Sequence, residues 1–443
     1  MKVRLKRMRG VAVPALFLAL SAGIPAAAQT RRTLTVDELF TLVESGSNTL
    51  RSQKAGVDVA GHAVAEAKSR RLPDVYAELS ASYNGNVVMA DRDFGHARGL
   101  RQPHFGNSLA IVAEQTVYAG GAVDAGVRLA ETQKRQAENA VAQGRARQRM
   151  AALDMYLGLY KADNRIKVYE QNIALTVRLI ADIRAMQDEG MALKNDVTRY
   201  ELQMETLRLA LRQTRDRRDV LNHRLCNATG LALSTVIVPD SAVAALATDD
   251  ATADEWQARA AAQSPLLRAK TLGVEQAEQQ LRIAKSDLLP KVAVFATDNF
   301  SGPFVYDLPP VNKNFNIWAV GIGVRYSLSS LFKGNKAVRR AKAAVIMSRD
   351  EHAVAAETVD NEMQEAYTLY RQSFVELRTR IKSVELAAQN YGVVSSRYKA
   401  QMALVTDMID ASNVKLDAEL SAVDARIDIV YAYYMMKYVA GDI

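Results

Sequence analysis

The sequence predicts a mixed α and β protein, elongated and pseudo-two-fold, that spans a membrane with strands and continues into long antiparallel helical hairpins. Three observations carry this expectation. The stretch Thr35 to Tyr83 returns without a gap as Thr252 to Phe300, at a constant offset of 217 (Glu38 to Glu255, Pro73 to Pro290). Two blocks without proline, Pro103 to Pro239 and Pro310 onward, carry apolar seams of alternating three- and four-residue spacing. Short runs that alternate apolar and polar residues stand before each long helical pattern.

The N-terminus comes first. Lys2, Arg4, Lys6, Arg7 and Arg9 form a basic region, Val11 to Leu20 an apolar one, and Ala26-Ala27-Ala28 a small-residue cleavage site. Residues 1–28 therefore read as an export signal, too short to anchor as a spanning helix. Removing its five cations lowers the net charge from +8 to +3. So small a surplus, with no clustered basic patch, argues against nucleic acid as a partner. The single cysteine, Cys226, excludes an internal disulfide framework and reads as a small buried hydrophobe near a helix end.

Within the repeat, Asp37-Glu38 matches Asp254-Glu255, Ala67-Lys68-Ser69 matches Ala284-Lys285-Ser286, and Leu72-Pro73 matches Leu289-Pro290. Each copy predicts a helix with an acidic first turn, stopped by proline and followed at once by a strand. In the first strand Val75, Ala77, Leu79, Ala81 and Tyr83 alternate with Tyr76, Glu78, Ser80, Ser82 and Asn84. In the last, Trp318, Val320, Ile322, Val324, Tyr326 and Leu328 alternate with Ala319, Gly321, Gly323, Arg325 and Ser327. The partners Ser108 to Val117 and Val292 to Thr297 alternate less cleanly. About ten residues suit a tilted membrane-spanning strand. The loops Asn86 to Gly106 and Ser301 to Asn314 would then lie at the outer mouth.

The proline-free blocks predict helical hairpins. Ile166, Tyr169, Ile173, Thr176, Ile180 and Ile183 make a seam in the first, and Tyr367, Tyr370, Phe374, Leu377, Ile381, Val384, Ala388 and Tyr391 one in the second. The return helices repeat the pattern, and the two hairpins correspond at an offset of 211 (Tyr156 to Tyr367, Asp196 to Asp407, Gly230 to Gly441). A helix from about Ala122 to Gln187 would be roughly 100 Å long at 1.5 Å per residue. Four strands cannot close a membrane barrel, which needs about eight, and open edges in lipid cost several kcal/mol per unpaired group. Several chains must share one barrel.

The order helix, proline, two strands, long hairpin, given twice behind a cleavable signal, resembles the TolC-type outer-membrane efflux proteins over essentially the whole exported chain. The more specific pieces are Tyr118-Ala119-Gly120-Gly121, Leu331-Phe332-Lys333-Gly334, Gly190 with Asp196 and Val197, and Tyr398 with Asp407 and Asp410. The resemblance implies a homotrimer with a 12-stranded outer-membrane barrel continued by a periplasmic α-helical coiled-coil tunnel. Its divisions would be 29–230 (first repeat), 231–251 (linker, with an equatorial role) and 252–443 (second repeat). It implies a passive exit duct in the outer membrane of a Gram-negative bacterium, most of its mass periplasmic, joined to an inner-membrane pump through a periplasmic adaptor. Such a tripartite system would serve drug efflux or type I secretion.

The same resemblance places Asp407, Asp410, Asp196 and Tyr398 at the closed entrance, and Glu189, Gly190, Met191, Gln401 and Met402 at adaptor-contacting tips. Ala403 stands where the family carries a latch arginine, and Gln401 where it carries the second tip glycine. No enzyme is expected: there is no nucleophile elbow, phosphate loop or dinucleotide fingerprint. No cofactor or metal is expected either, since the five histidines (His62, His96, His104, His223, His352) lack ligand spacing. His96 and His104 share a loop with Asp91 and Asp93, which reads as solvated. The rival expectation is a soluble periplasmic coiled-coil scaffold or adaptor with a small sheet, which the strand patterning and the lack of a lipobox disfavour.

Overall fold

The computed structural model describes residues 30–244, 251–304 and 311–443. The expected signal 1–28, part of the linker, and Pro309 and Pro310 of the second outer loop lie outside the described residues. In chain order the elements are β1 (Arg31–Leu34), α1 (Val36–Gly46), α2 (Asn48–Ser69), β2 (Asp74–Tyr83), β3 (Val87–Met89), β4 (Arg98–Leu100) and β5 (Phe105–Tyr118). There follow α3 (Ala122–Asp188), α4 (Lys194–Thr229), β6 (Val236–Pro239), a 3-10 turn at Ser241–Ala244, α5 (Ala253–Gln263) and α6 (Pro265–Ser286). The chain ends with β7 (Lys291–Gly302), β8 (Phe315–Arg325), α7 (Ser330–Lys399) and α8 (Val405–Ala440).

Local chemistry explains the boundaries. Thr35 Oγ1 accepts from the Glu38 N–H at 3.3 Å while Glu38 Oε2 accepts from the Thr35 N–H at 3.0 Å. Thr252 and Glu255 make the same reciprocal cap, at 3.3 and 2.8 Å. The single helix expected after each cap is in fact two. Ser47 ends α1 and, in extended geometry, caps α2 by accepting from the Leu50 N–H. Ser264 likewise ends α5 and starts α6, without a side-chain cap; here Pro265 makes the break, since its ring disfavours helical geometry in the residue ahead of it.

The strands β2, β5, β7 and β8 form one antiparallel sheet in that order. Its rows run straight across: Val75 pairs with Ala113, Ala113 with Ala296, and Ala296 with Val320. Every residue of β2 is exposed, and the apolar face of β8 (Trp318, Val320, Ile322, Val324) is uncovered. The sheet does not close on itself, because β2 and β8 each pair on one side only. The middle strands are longer than expected, and β8 stops at Arg325, so Tyr326 and Leu328 lie beyond it. The expected outer loop holds a small hairpin, β3 with β4, built on Val87-Val88-Met89. The poor alternation of β7 has a cause: Asp298 sits on the apolar face between Ile111 and Trp318.

The helices carry most of the chain. α3 has 67 residues and α7 has 70, about 100 Å each. α4 returns against α3 and α8 against α7, while α8 also packs on α3. Lys161–Asp428 (2.5 Å) and Arg165–Asp424 (3.2 Å) pair across that α3–α8 contact. Around mid-length a waist forms where β1 pairs in parallel with β6. The waist core holds Leu34, Leu39, Val43, Leu153, Tyr156, Leu225 and Cys226, all fully buried. Tyr156 Oη donates to the Leu34 carbonyl at 2.6 Å and accepts from the Asp240 N–H at 2.9 Å. Nearby the end of α1 touches the end of α4, Gly46 lying against Thr229 and Gly230. No helix among the described residues is long and apolar enough to cross a membrane.

Candidate functional site at the hairpin tips

Both hairpins turn in the same way. At the first tip the Gly190 N–H bonds the Gln187 carbonyl at 2.9 Å and the Met191 N–H bonds the Met186 carbonyl at 2.8 Å. At the second, Gln401 bonds Tyr398 at 2.9 Å and Met402 bonds Arg397 at 2.8 Å. This doubly bonded helix end requires a left-handed residue at its third corner. Gly190 supplies it at φ 78°, but at the second tip Gln401 adopts it at φ 58°. The turn survives without glycine, at the steric cost that a Cβ meets in this region.

The return helices begin identically. Asp196 accepts from the Leu193 N–H at 3.1 Å, and Asp407 accepts from the Leu404 N–H at 2.9 Å. Each carboxylate satisfies a free donor at a helix start and sits at the positive end of the helix dipole. Asp196 is half-buried, whereas Asp407 and Asp410 are exposed on α8. The two tips pack through Leu179, Ile180, Ile183, Val197, Tyr200, Val405 and Met408.

Of the expected entrance residues, the structure brings Tyr398 and Asp196 to one groove of about 420 Å³ between the tips, beside the expected tip residues Met191 and Gln401. Asp407 and Asp410 do not line it. Tyr398 is buried in the tip core, so in a single chain its ring faces the protein. Burial, then the charge of Asp196, pushes its phenol above the ordinary range. The Tyr200 phenol is raised further, by burial first and then by Tyr398, Tyr391 and Asp196. Tyr200 Oη is enclosed and makes no hydrogen bond.

Met191 and Met402 are exposed at the tip ends, and so are Leu193 and Leu404, at 69% each. Sequence reasoning named the methionines and passed over the leucines and Arg199, which lines the groove. The signal was present: Met-Ala-Leu occurs at 191–193 and again at 402–404. In the loop between β2 and β5, His96 Nδ1 lies 3.0 Å from Asp91 Oδ2, while His104 turns to the Asn84 carbonyl and stacks on Tyr83. The two histidines make separate contacts.

Comparison with known proteins places this geometry. No protein-family model matches the sequence, and no curated protein does. Solved structures do match along nearly the whole chain. The outer-membrane channel OprN superposes with a TM-score of 0.76 at 17% identity, over 92% of this chain and 90% of that one. The outer membrane protein VceC of Vibrio cholerae gives 0.75 at 14% identity, over 92% and 96%. CusC, described in terms of folding and transmembrane channel formation, gives 0.77 at 11% identity, over 91% of each chain. The chain is thus built on the fold of the TolC-type outer-membrane channels.

Proposed function

We propose that this chain is one third of a homotrimeric outer-membrane exit duct, coupled through a periplasmic adaptor to an inner-membrane pump. The observation that carries the reading is a four-stranded sheet with open edges at β2 and β8, exposed on an apolar face and joined to helices about 100 Å long. Three such sheets side by side give twelve strands, within the range that closes a barrel in lipid. The helices then hang below the barrel as a tunnel, with most of the mass in the periplasm. In this assembly 29–230 and 252–443 act as two structural repeats joined by 231–251. Their elements support it, since adding 217 to the starts of α1, α2 and β2 gives those of α5, α6 and β7. Adding 211 to both bounds of α4 gives those of α8.

The tips provide the site. Glu189, Gly190, Met191, Gln401 and Met402 cap the hairpins farthest from the barrel and meet the adaptor. Three copies of Asp407 and Asp410 surround one axis at the entrance, with Asp196 and Tyr398 behind them. A ring of carboxylates attracts cations and repels anions. Two measurements test the reading. Fractionation with native mass analysis should find a trimer in the outer membrane; a stable membrane-inserted monomer, or a soluble protein, overturns it. Single-channel recording of Asp407→Asn/Asp410→Asn should show lost cation selectivity. Selectivity and conductance equal to those of the parent would make the two aspartates an ordinary solvated face.

A further inference from the structure

We propose that the start of α7 is a basic collar that holds the anionic phospholipid headgroups of the leaflet on the helix side of the membrane. The proposal rests on the duct reading above, which sets the foot of the sheet at a membrane surface, and it adds the class of lipid met there.

The small net charge of +3 predicts no clustered basic patch, yet the start of α7 holds one. Lys333, Lys336, Arg339, Arg340 and Lys342 follow one another within ten residues, and no acidic residue stands between Asp307 and Asp350. All five side chains are exposed, and none makes an ion pair among the described residues. Other cations at this end of the helices are matched: Lys68 pairs with Glu131, Arg71 with Asp124 and Lys291 with Asp287.

For α7 alone the arrangement is unfavourable. Lys333 and Lys336, Lys336 and Arg340, and Arg339 and Lys342 stand three or four residues apart, where like charges repel across one helix face. Lys333 also lies in the first turn, at the positive end of the helix dipole, and Ser329 supplies no side-chain cap. An anionic partner from outside the chain reverses each of these effects.

The internal repeat shows that the fold does not require the cluster. The offset of 211 sets the buried Val127 of α3 on the buried Val338 of α7. Lys333, Lys336 and Arg340 then fall on Ala122, Ala125 and Leu129, Lys342 falls on Glu131, and only Arg339 keeps a cation, as Arg128. With Asp124 and Glu131 beside Arg128, the start of α3 is slightly acidic. Two helices in equivalent places thus carry opposite charge, and packing explains neither sign.

Position names the partner. Below Val324, the last apolar residue of β8, come Leu328, 70% exposed, and Phe332, 67% exposed, and then the cations. Apolar strand, aromatic ring and basic cluster succeed one another as they do across a membrane boundary. At 1.5 Å per residue Lys333 lies about 5 Å, Lys336 about 9 Å and Lys342 about 18 Å below the start of α7. The headgroup layer is about 5–7 Å thick. Side chains on a helix lean toward its N-terminus, which here is toward the membrane. Lys333 and Lys336 therefore meet phosphates, while the other three lie within about one Debye length, roughly 8 Å, of the charged surface. Each such cation adds to the hold on an anionic leaflet.

Spin-labelled lipids test this on the full-length protein reconstituted in phosphatidylcholine membranes at low salt. Labelled phosphatidylglycerol should associate at least about three-fold more strongly than labelled phosphatidylcholine, and about 0.5 M salt should bring the ratio near one. Lys333→Gln/Lys336→Gln/Arg339→Gln/Arg340→Gln/Lys342→Gln should bring it near one at low salt. Lys167→Gln/Arg178→Gln/Arg371→Gln/Arg378→Gln/Lys399→Gln removes the same charge from exposed positions remote from the sheet and should keep the parent ratio. A parent with no preference for phosphatidylglycerol overturns the proposal, and so does a control that loses the preference. A collar variant that keeps the preference but changes ion selectivity in single-channel recording places the cluster on the lumen wall and overturns it too. With a membrane-inserted trimer in hand, these failures leave the duct reading standing; a soluble or monomeric protein overturns both.

Discussion

Replacing Gly46 by alanine should open the waist. A Cβ built on Gly46 lies 2.3 Å from the Thr229 carbonyl oxygen and 2.5 Å from its carbon, both backbone atoms. Ordinary contact begins near 3.4 Å, so the ends of α1 and α4 must part by about 1 Å. They cannot do so freely, because Leu39, Val43, Tyr156 and Leu225 are fully buried between them. Overpacking of this kind costs about 1–3 kcal/mol. The usual preference of a helix for alanine over glycine, about 1 kcal/mol, acts the other way. The expected net is about 1 kcal/mol of lost local stability, or roughly 5-fold faster opening. Hydrogen exchange read by mass spectrometry in peptides covering 34–50 and 222–238 measures it. Gly273→Ala is the control, since nothing lies within 4 Å of its added Cβ, and it should be neutral or stabilising by about 0.5–1 kcal/mol. If Gly46→Ala exchanges no faster than the parent while the control behaves as stated, the close approach of the two helix ends is wrong.

Three further outcomes follow from the tips and the waist. Gln401→Gly removes a left-handed side chain and should stabilise the second tip by up to about 1 kcal/mol, seen as slower exchange of the Met402 amide. Slower exchange absent, the turn is not strained. Tyr200→Phe deletes an enclosed hydroxyl without a hydrogen bond and should be neutral or stabilising by about 1 kcal/mol in chemical unfolding; a loss above 1 kcal/mol would reveal a partner for that oxygen. Burial raises the Tyr156 phenol to about 12 from its ordinary 10. Its neutral form is favoured in the folded state, so this stability is complete below pH 10 and lost as pH rises through about 12. Alkaline unfolding of the parent followed by phenolate absorbance should therefore show buried tyrosines ionising with the waist transition, and Tyr156→Phe should reduce the amplitude of that step.

The sequence displayed its punctuation well and its pairing poorly. Thr35 with Glu38, Thr252 with Glu255, Gly190, Gly230 and Gly441 all act within four residues of themselves, so local spacing reveals them. The seams of α3 and α7 were legible because 67 and 70 residues repeat one period many times. The break at Ser47 was hidden, since a single residue both ends one helix and starts the next, and the apolar period hardly registers it. The parallel pair β1–β6 joins residues about 200 apart through four positions each, too short to carry a pattern. At the tips, the aspartates were visible as residues but not as caps. Their carboxylates bind backbone N–H groups three residues earlier, so the acidity of this end also holds the turn together. Tyr398 was visible as a tip residue, but its burial depends on α3 and α4 packing across from it.

Asp298 sets a height. It shares a row with Ile111 and Trp318 on the apolar face of the sheet, seven residues up β7 from Lys291. In a lipid-spanning sheet an aspartate is tolerated near the interface and penalised toward the midplane, and a tryptophan beside it favours the same level. Seven residues at about 3.3 Å, tilted by about 40°, place that row roughly 18 Å above the start of the strand. In the proposed duct such a row would leave the molecule little freedom to ride higher or lower in a bilayer. Since the helices are about 100 Å long, immersion at Asp298 in the proposed duct would decide how far the tips reach, and so the width of the compartment that a partner would bridge to meet them.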